Sequence, residues 1–149
     1  LKETGCWEVR GLSYTRGQPP MMVNCDLTLD GEARRQVLNF QPAVVLHLAA
    51  ERRPDVVQKS PERARKLNVD VVRDLGEACQ ECGAWMVYIS TDYVFDGTRP
   101  PYGTDMKPQP VNGYGKQKAE AEVAVLRDPN ATVLRIPLLY GQVEFVDES

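Results

Sequence analysis

A single histidine, His47, occurs in the 149 residues, and this scarcity removes most zinc chemistry. The Cys79-x-x-Cys82 pair has no second pair and no histidine set to complete four ligands, so these thiols are expected to pack rather than bind metal. Basic excess is lacking as well. The 18 Lys and Arg against 21 Asp and Glu leave a formal charge of −3, and the charges are interspersed, which argues against nucleic acid or an acidic membrane surface as a partner. No apolar run approaches the roughly 20 residues of a membrane-spanning helix, and no secretory leader pattern is present. A cytoplasmic protein with reduced cysteines is expected, with the nucleus as a second location.

What is present is alternation. Residues 7–14 and 21–25 read as two short strands around a loop holding Gly17, Pro19 and Pro20. Apolar residues at helical spacing from Leu29 to Phe40 predict a helix capped by Thr28 or Asp30. Ala43 to Leu48 is a β-branched apolar run, expected as a strand buried on both faces. Ser60 and Pro61 supply the N-cap and first position of a helix whose stripe runs Ala64, Leu67, Val71, Leu75, Ala78 and Cys82, with Gly83 as its stop. Trp85 to Ser90 predicts another buried strand, residues 114–127 a helix, and Thr132 to Ile136 a final strand ended by Pro137. Strands alternating with helices of this length predict an α/β fold with a Rossmann-like doubly wound parallel sheet, in one domain.

Chemistry concentrates around Tyr114-Gly-Lys-Gln-Lys118, a Tyr-x-x-x-Lys at a helix start. Spacing of i, i+4 puts both side chains on one face, so the Lys118 ammonium is expected near the Tyr114 phenol, favouring phenolate and easing proton transfer. Such a pair alone is common on solvated helix faces. Its surroundings count for more: Ser90-Thr91-Asp92-Tyr93 follows one predicted strand, and Leu134-Arg135-Ile136-Pro137-Leu138-Leu139-Tyr140-Gly141 follows another. Both leave the carboxyl edge of a parallel sheet, where ligands of such folds bind. His47, inside an apolar strand, is read as a core or edge histidine and not as a base.

The segments STDYVFDG, NGYGKQK and LRIPLLYG, in this order, resemble the extended short-chain dehydrogenase/reductase family, in its dTDP-4-dehydrorhamnose reductase-like branch. The run AAERRPDVV, with FQP, LNVD and YGQVE, is similar within that branch to the regulatory beta subunits of methionine adenosyltransferase. The resemblance implies a triad of Thr91, Tyr114 and Lys118, which in a regulatory subunit can persist without turnover. It implies cofactor contacts from Tyr14, Thr15, Arg16, Asp26, Leu27, Leu48, Ala49, Ala50, Arg52, Tyr114, Lys118 and Leu139. Ala49 and Ala50 would let a dinucleotide approach the backbone. The stretch Ser13-Tyr14-Thr15-Arg16-Gly17 offers hydroxyls and a guanidinium but no carboxylate, which favours NADP over NAD.

The expected function is a regulatory subunit that binds NADP, assembles with a methionine adenosyltransferase catalytic subunit and modulates S-adenosylmethionine synthesis. The alternatives are an NADPH-dependent reductase of a nucleotide-linked 4-keto sugar, or a chain with no function of its own. No Gly-x-Gly-x-x-Gly turn occurs. The 149 residues are therefore expected to form part of an NADP-binding domain truncated at both ends, lacking the first strand with its phosphate loop and the substrate domain. A gap in the sheet and weak dinucleotide binding by this stretch alone should follow.

Overall fold

The computed structural model describes residues 5–137. Among these residues five strands, all parallel to their neighbours, fall into two sheets. β1 (Gly11–Ser13) pairs with β2 (Met22–Asn24), and β3 (Val44–His47), β4 (Trp85–Thr91) and β5 (Ala131–Ile136) form the second sheet in that order. No ladder joins the two among the described residues. The first two strands are shorter than the sequence predicts; β1 takes only the end of the 7–14 stretch.

The helical segments are α1 (Glu32–Phe40), α2 (Pro54–Lys59), α3 (Pro61–Arg65), α4 (Val71–Cys82) and α5 (Gly113–Val125). A π-helical turn at Lys66–Asp70 joins α3 to α4, so Pro61–Cys82 is one bent rod. Gly83 ends it at φ 72°, the left-handed conformation glycine adopts without penalty. Ser60 stands at the N-cap position but its side chain makes no capping bond. Neither Thr28 nor Asp30 caps α1, where Gly31 holds that place. Thr28 Oγ1 instead donates to Asp26 at 2.6 Å, and Asp30 takes the Lys66 ammonium at 2.7 Å. Both oxygens were drawn away by stronger local partners. α2 was not anticipated: Pro54 occupies its first turn after the polar Glu51-Arg52-Arg53 run.

One core forms where Ala33 and Val37 of α1, Val72, Leu75 and Cys79 of α4, and Ala121 and Val125 of α5 meet Met86 and Tyr88 of β4. Alternation along β4 sends Met86, Tyr88 and Ser90 toward these helices. β3 departs from the expected two-sided burial, with Val44 46% and Leu46 50% exposed. The opposite face of its strands carries no covering helix among the described residues, so a β-branched run that fits an interior strand here buries one side only. Among the described residues no helix is long and apolar enough to cross a membrane.

Candidate functional site at the carboxyl edge of the sheet

β4 delivers Thr91 to the edge of the sheet. Its hydroxyl donates to Asp92 Oδ1 (3.1 Å) and accepts from the Tyr93 amide (3.2 Å), which starts the 3-10 turn Asp92–Val94. That turn presents Tyr93, whose ring meets the Tyr114 ring edge-on at 6.2 Å and 82°. α5 is capped by Asn112, whose Oδ1 accepts from the Gly115 amide at 2.7 Å. A Cβ at Gly115 would collide with the Tyr93 carbonyl, so only glycine lets the first turn of α5 come this close. Thr91, Tyr93 and Tyr114 are thereby drawn to one corner.

Lys118 lies one turn further along α5 and is 3% exposed. Its Nζ donates to the Ile89 carbonyl at 2.6 Å and sits 4.0 Å from the centre of the Tyr88 ring. Desolvation pulls its pKa down to about 8, against the raising influence of Glu122. Thr91 ends β4, Lys118 bonds the carbonyl of Ile89 in the same strand, and Tyr114 meets Tyr93 of the turn that follows. The Tyr114 pKa is raised, chiefly by desolvation; the cation opposing that rise is Arg52, while Asp92 and Tyr93 add to it. A buried ammonium needs an acceptor, and the Ile89 carbonyl supplies one deeper in the fold.

The other predicted residues follow the carboxyl ends of their strands. Tyr14, Thr15 and Arg16 form the exposed bend after β1, with the Arg16 amide donating to Ser13 Oγ at 3.1 Å. Asp26 follows β2, its carboxylate held below the usual range by bonds from Thr28, whereas Leu27 packs against the core and is partly spent there. Leu48, Ala49 and Ala50 follow β3, Leu48 being exposed. Arg52 is exposed in the same loop; Arg53 is engaged by Glu51 at 2.9 Å. Leu139 lies outside the described residues.

Two features were missed in the sequence. Asn68, buried in the π-helical turn, clamps the loop after β3: its Oδ1 accepts from the Glu51 amide (2.8 Å), and its Nδ2 donates to the Glu51 carbonyl (3.0 Å) and to Gln117 Oε1 of α5 (2.9 Å). An asparagine on the apolar side of a helix was the available signal. The second is Glu122 of α5, a buried carboxylate 2.8 Å from Arg135; His47, by contrast, was expected in the core or at an edge. His47 stacks on Tyr88 with ring centres 6.0 Å apart, and burial takes its pKa down to about 4, helped by the nearby Lys118. It is a core histidine. Cys79 is likewise core, with burial raising its thiol pKa to about 12.

The sequence model of the RmlD substrate binding domain matches residues 7–147. The chain belongs to this family. Methionine adenosyltransferase 2 subunit beta of Danio rerio is 46% identical over 144 residues, a stretch covering 96% of this chain and 44% of that protein. A hypothetical dTDP-4-dehydrorhamnose reductase from Sulfolobus tokodaii superposes with a TM-score of 0.82 at 28% identity, over 90% of this chain and 48% of that one. The dTDP-4-dehydrorhamnose reductase of Bacillus anthracis, solved in complex with NADP, gives 0.75 at 34% identity, over 80% of this chain and 44% of that one. This RmlD-family chain has the Rossmann-like parallel fold of those reductases, and it spans less than half the length of the relatives it matches.

Proposed function

We propose that the protein carrying this chain is a cytoplasmic regulatory subunit of methionine adenosyltransferase that binds NADP and modulates S-adenosylmethionine synthesis by assembling with the catalytic subunit. The observation that carries this reading is the similarity to the beta subunit of Danio rerio, at 46% identity against 34% for the reductase from Bacillus anthracis. The residues present fit NADP in part. Thr15 and Arg16 lie on an exposed bend whose own residues, Ser13 to Gly17, include no Asp or Glu, a composition that suits a 2′-phosphate. The small Ala49 and Ala50 would leave the backbone after β3 approachable, and Tyr114 and Lys118 would serve the nicotinamide ribose, the lysine on leaving the Ile89 carbonyl. Asp26 and Leu27 would serve the adenine end.

The runner-up is an NADPH-dependent reductase of a nucleotide-linked 4-keto sugar, favoured by the persistence of Thr91, Tyr114 and Lys118 at one corner. NADPH, when bound, supplies hydride. Thr91 and Tyr114 would hydrogen-bond a carbonyl oxygen, and the Tyr114 phenol would give it a proton.

The two are separated by mixing the full-length protein with the catalytic subunit and following S-adenosylmethionine formation, alongside NADPH absorbance with a keto-sugar nucleotide. A changed synthetase rate with no sugar-dependent NADPH loss is expected. Sugar turnover with an unchanged synthetase rate would reverse the assignment.

A further inference from the structure

Beside Tyr114, where the 3-10 turn and the loop before α5 part, lies a cavity of about 430 Å³ lined by Tyr93, Phe95, Asp96, Tyr102, Val111 and Asn112. Its far wall, Asp96–Tyr102, has little regular structure, yet its polar groups are satisfied. The Tyr102 hydroxyl donates to Asp96 Oδ1 at 2.6 Å and accepts from the Arg99 amide at 3.1 Å. The Thr98 amide and hydroxyl both donate to the same Asp96 oxygen, at 3.0 Å each. This knot would float as a unit unless something tied it to the sheet.

The tie begins in the core. Glu122 of α5, one turn beyond Lys118, is 2% exposed and would be costly to bury as an uncompensated charge. Arg135 of β5 meets it as a fork: Nε reaches Oε1 at 3.0 Å and Nη2 reaches Oε2 at 2.8 Å. The guanidinium, flattened and oriented by that grip, lies 5.0 Å over the Phe95 ring. Phe95 in turn stacks on Tyr102 at 4.2 Å and 11°. A continuous line of contacts thus runs from the helix that carries Tyr114 and Lys118, through β5, to the cavity's outer wall.

We propose that Arg135 is a positioning residue of this site: held by Glu122 and stacked on Phe95, it keeps the Asp96–Tyr102 wall in register with the helix bearing Tyr114 and Lys118. The inference rests on reading this corner as the functional site. Lysine cannot replace arginine here, because an ammonium offers no planar surface to the ring and no fork to the carboxylate.

The test is hydrogen exchange on the full-length protein, read at the Thr98 and Arg99 amides, with NADP affinity measured on the same samples. Arg135→Lys and Phe95→Leu should each speed exchange at these amides at least ten-fold while β4 amides stay protected, and Phe95→Tyr, which keeps the stack, should hold the wild-type rate. Wild-type exchange at Thr98 and Arg99 in both disruptive variants would overturn the proposal. So would acceleration spread equally through β4, which marks general destabilisation. Failure of the wild-type protein to bind NADP counts against the cofactor reading under Proposed function; the exchange result then still decides the role of Arg135.

Discussion

His47 is the chain's single histidine, and its titration can be isolated in a way carboxylates do not permit. Desolvation, with Lys118 nearby, lowers its pKa from 6.5 to about 4 in the fold. Between those values the unfolded chain binds more protons than the folded one, so stability rises with pH across this window. The contribution is fully present above pH 6.5 and is lost as pH falls toward 4, by at most about 3 kcal/mol. His47→Gln should therefore flatten the fall of the thermal midpoint between pH 6.5 and 4. A slope unchanged from wild type would show that His47 titrates normally. At the same scale, Tyr114→Phe removes a hydroxyl but keeps the ring that meets Tyr93. The regulatory reading predicts less than a two-fold change in synthetase modulation, assayed as S-adenosylmethionine formation; the reductase reading predicts a loss of NADPH oxidation of at least 100-fold.

Helix α5 shows what could and could not be read ahead of the structure. The helix was legible as residues 114–127 between two predicted strands; it runs from Gly113 to Val125 under a cap from Asn112, which the sequence analysis did not name. The direction of the Lys118 side chain was not legible. Spacing fixes where a Cβ points, whereas the end of a four-carbon chain goes to whichever acceptor burial leaves it, here the Ile89 carbonyl. α2 escaped notice because its buried Val57 is isolated, without the repeating stripe that marks α4. Gly115 makes α5 fragile at one point. Gly115→Ala must push the helix off the Asp92–Val94 turn, and a loss of at least about 3 kcal/mol is expected by denaturant unfolding. Asn68→Ala should cost about 1–3 kcal/mol, because it strands the Glu51 amide and carbonyl in a half-buried loop. Loss of that clamp should also speed amide exchange at Glu51.

Across the whole molecule, alternation of strand and helix was enough to give the parallel α/β architecture, yet burial was overestimated. Periodicity reports that Val44 and Leu46 suit a sheet interior, but it does not report whether a second layer lies over them. The described sheet leaves Val44, Leu46, Trp85 and Leu134 uncovered on its outer face. A contiguous apolar surface of this kind binds hydrophobic dyes and self-associates. The 149-residue chain should enhance the fluorescence of anilinonaphthalene sulfonate, and Leu46→Lys should reduce that signal without lowering the thermal midpoint by more than a few degrees. A dye signal equal in wild type and Leu46→Lys would mean that this face is covered.

The proposed function places a dinucleotide, with its 2′-phosphate near Arg16, on loops at the carboxyl ends of the strands. Calorimetric titration of the full-length protein with NADP and with NAD, repeated on Arg16→Ala, tests it most directly. One NADP per chain is expected, bound at least ten-fold more tightly than NAD, with the Arg16 variant losing most of that preference. Equal affinities for the two nucleotides, or an Arg16→Ala variant with the wild-type ratio, would contradict it.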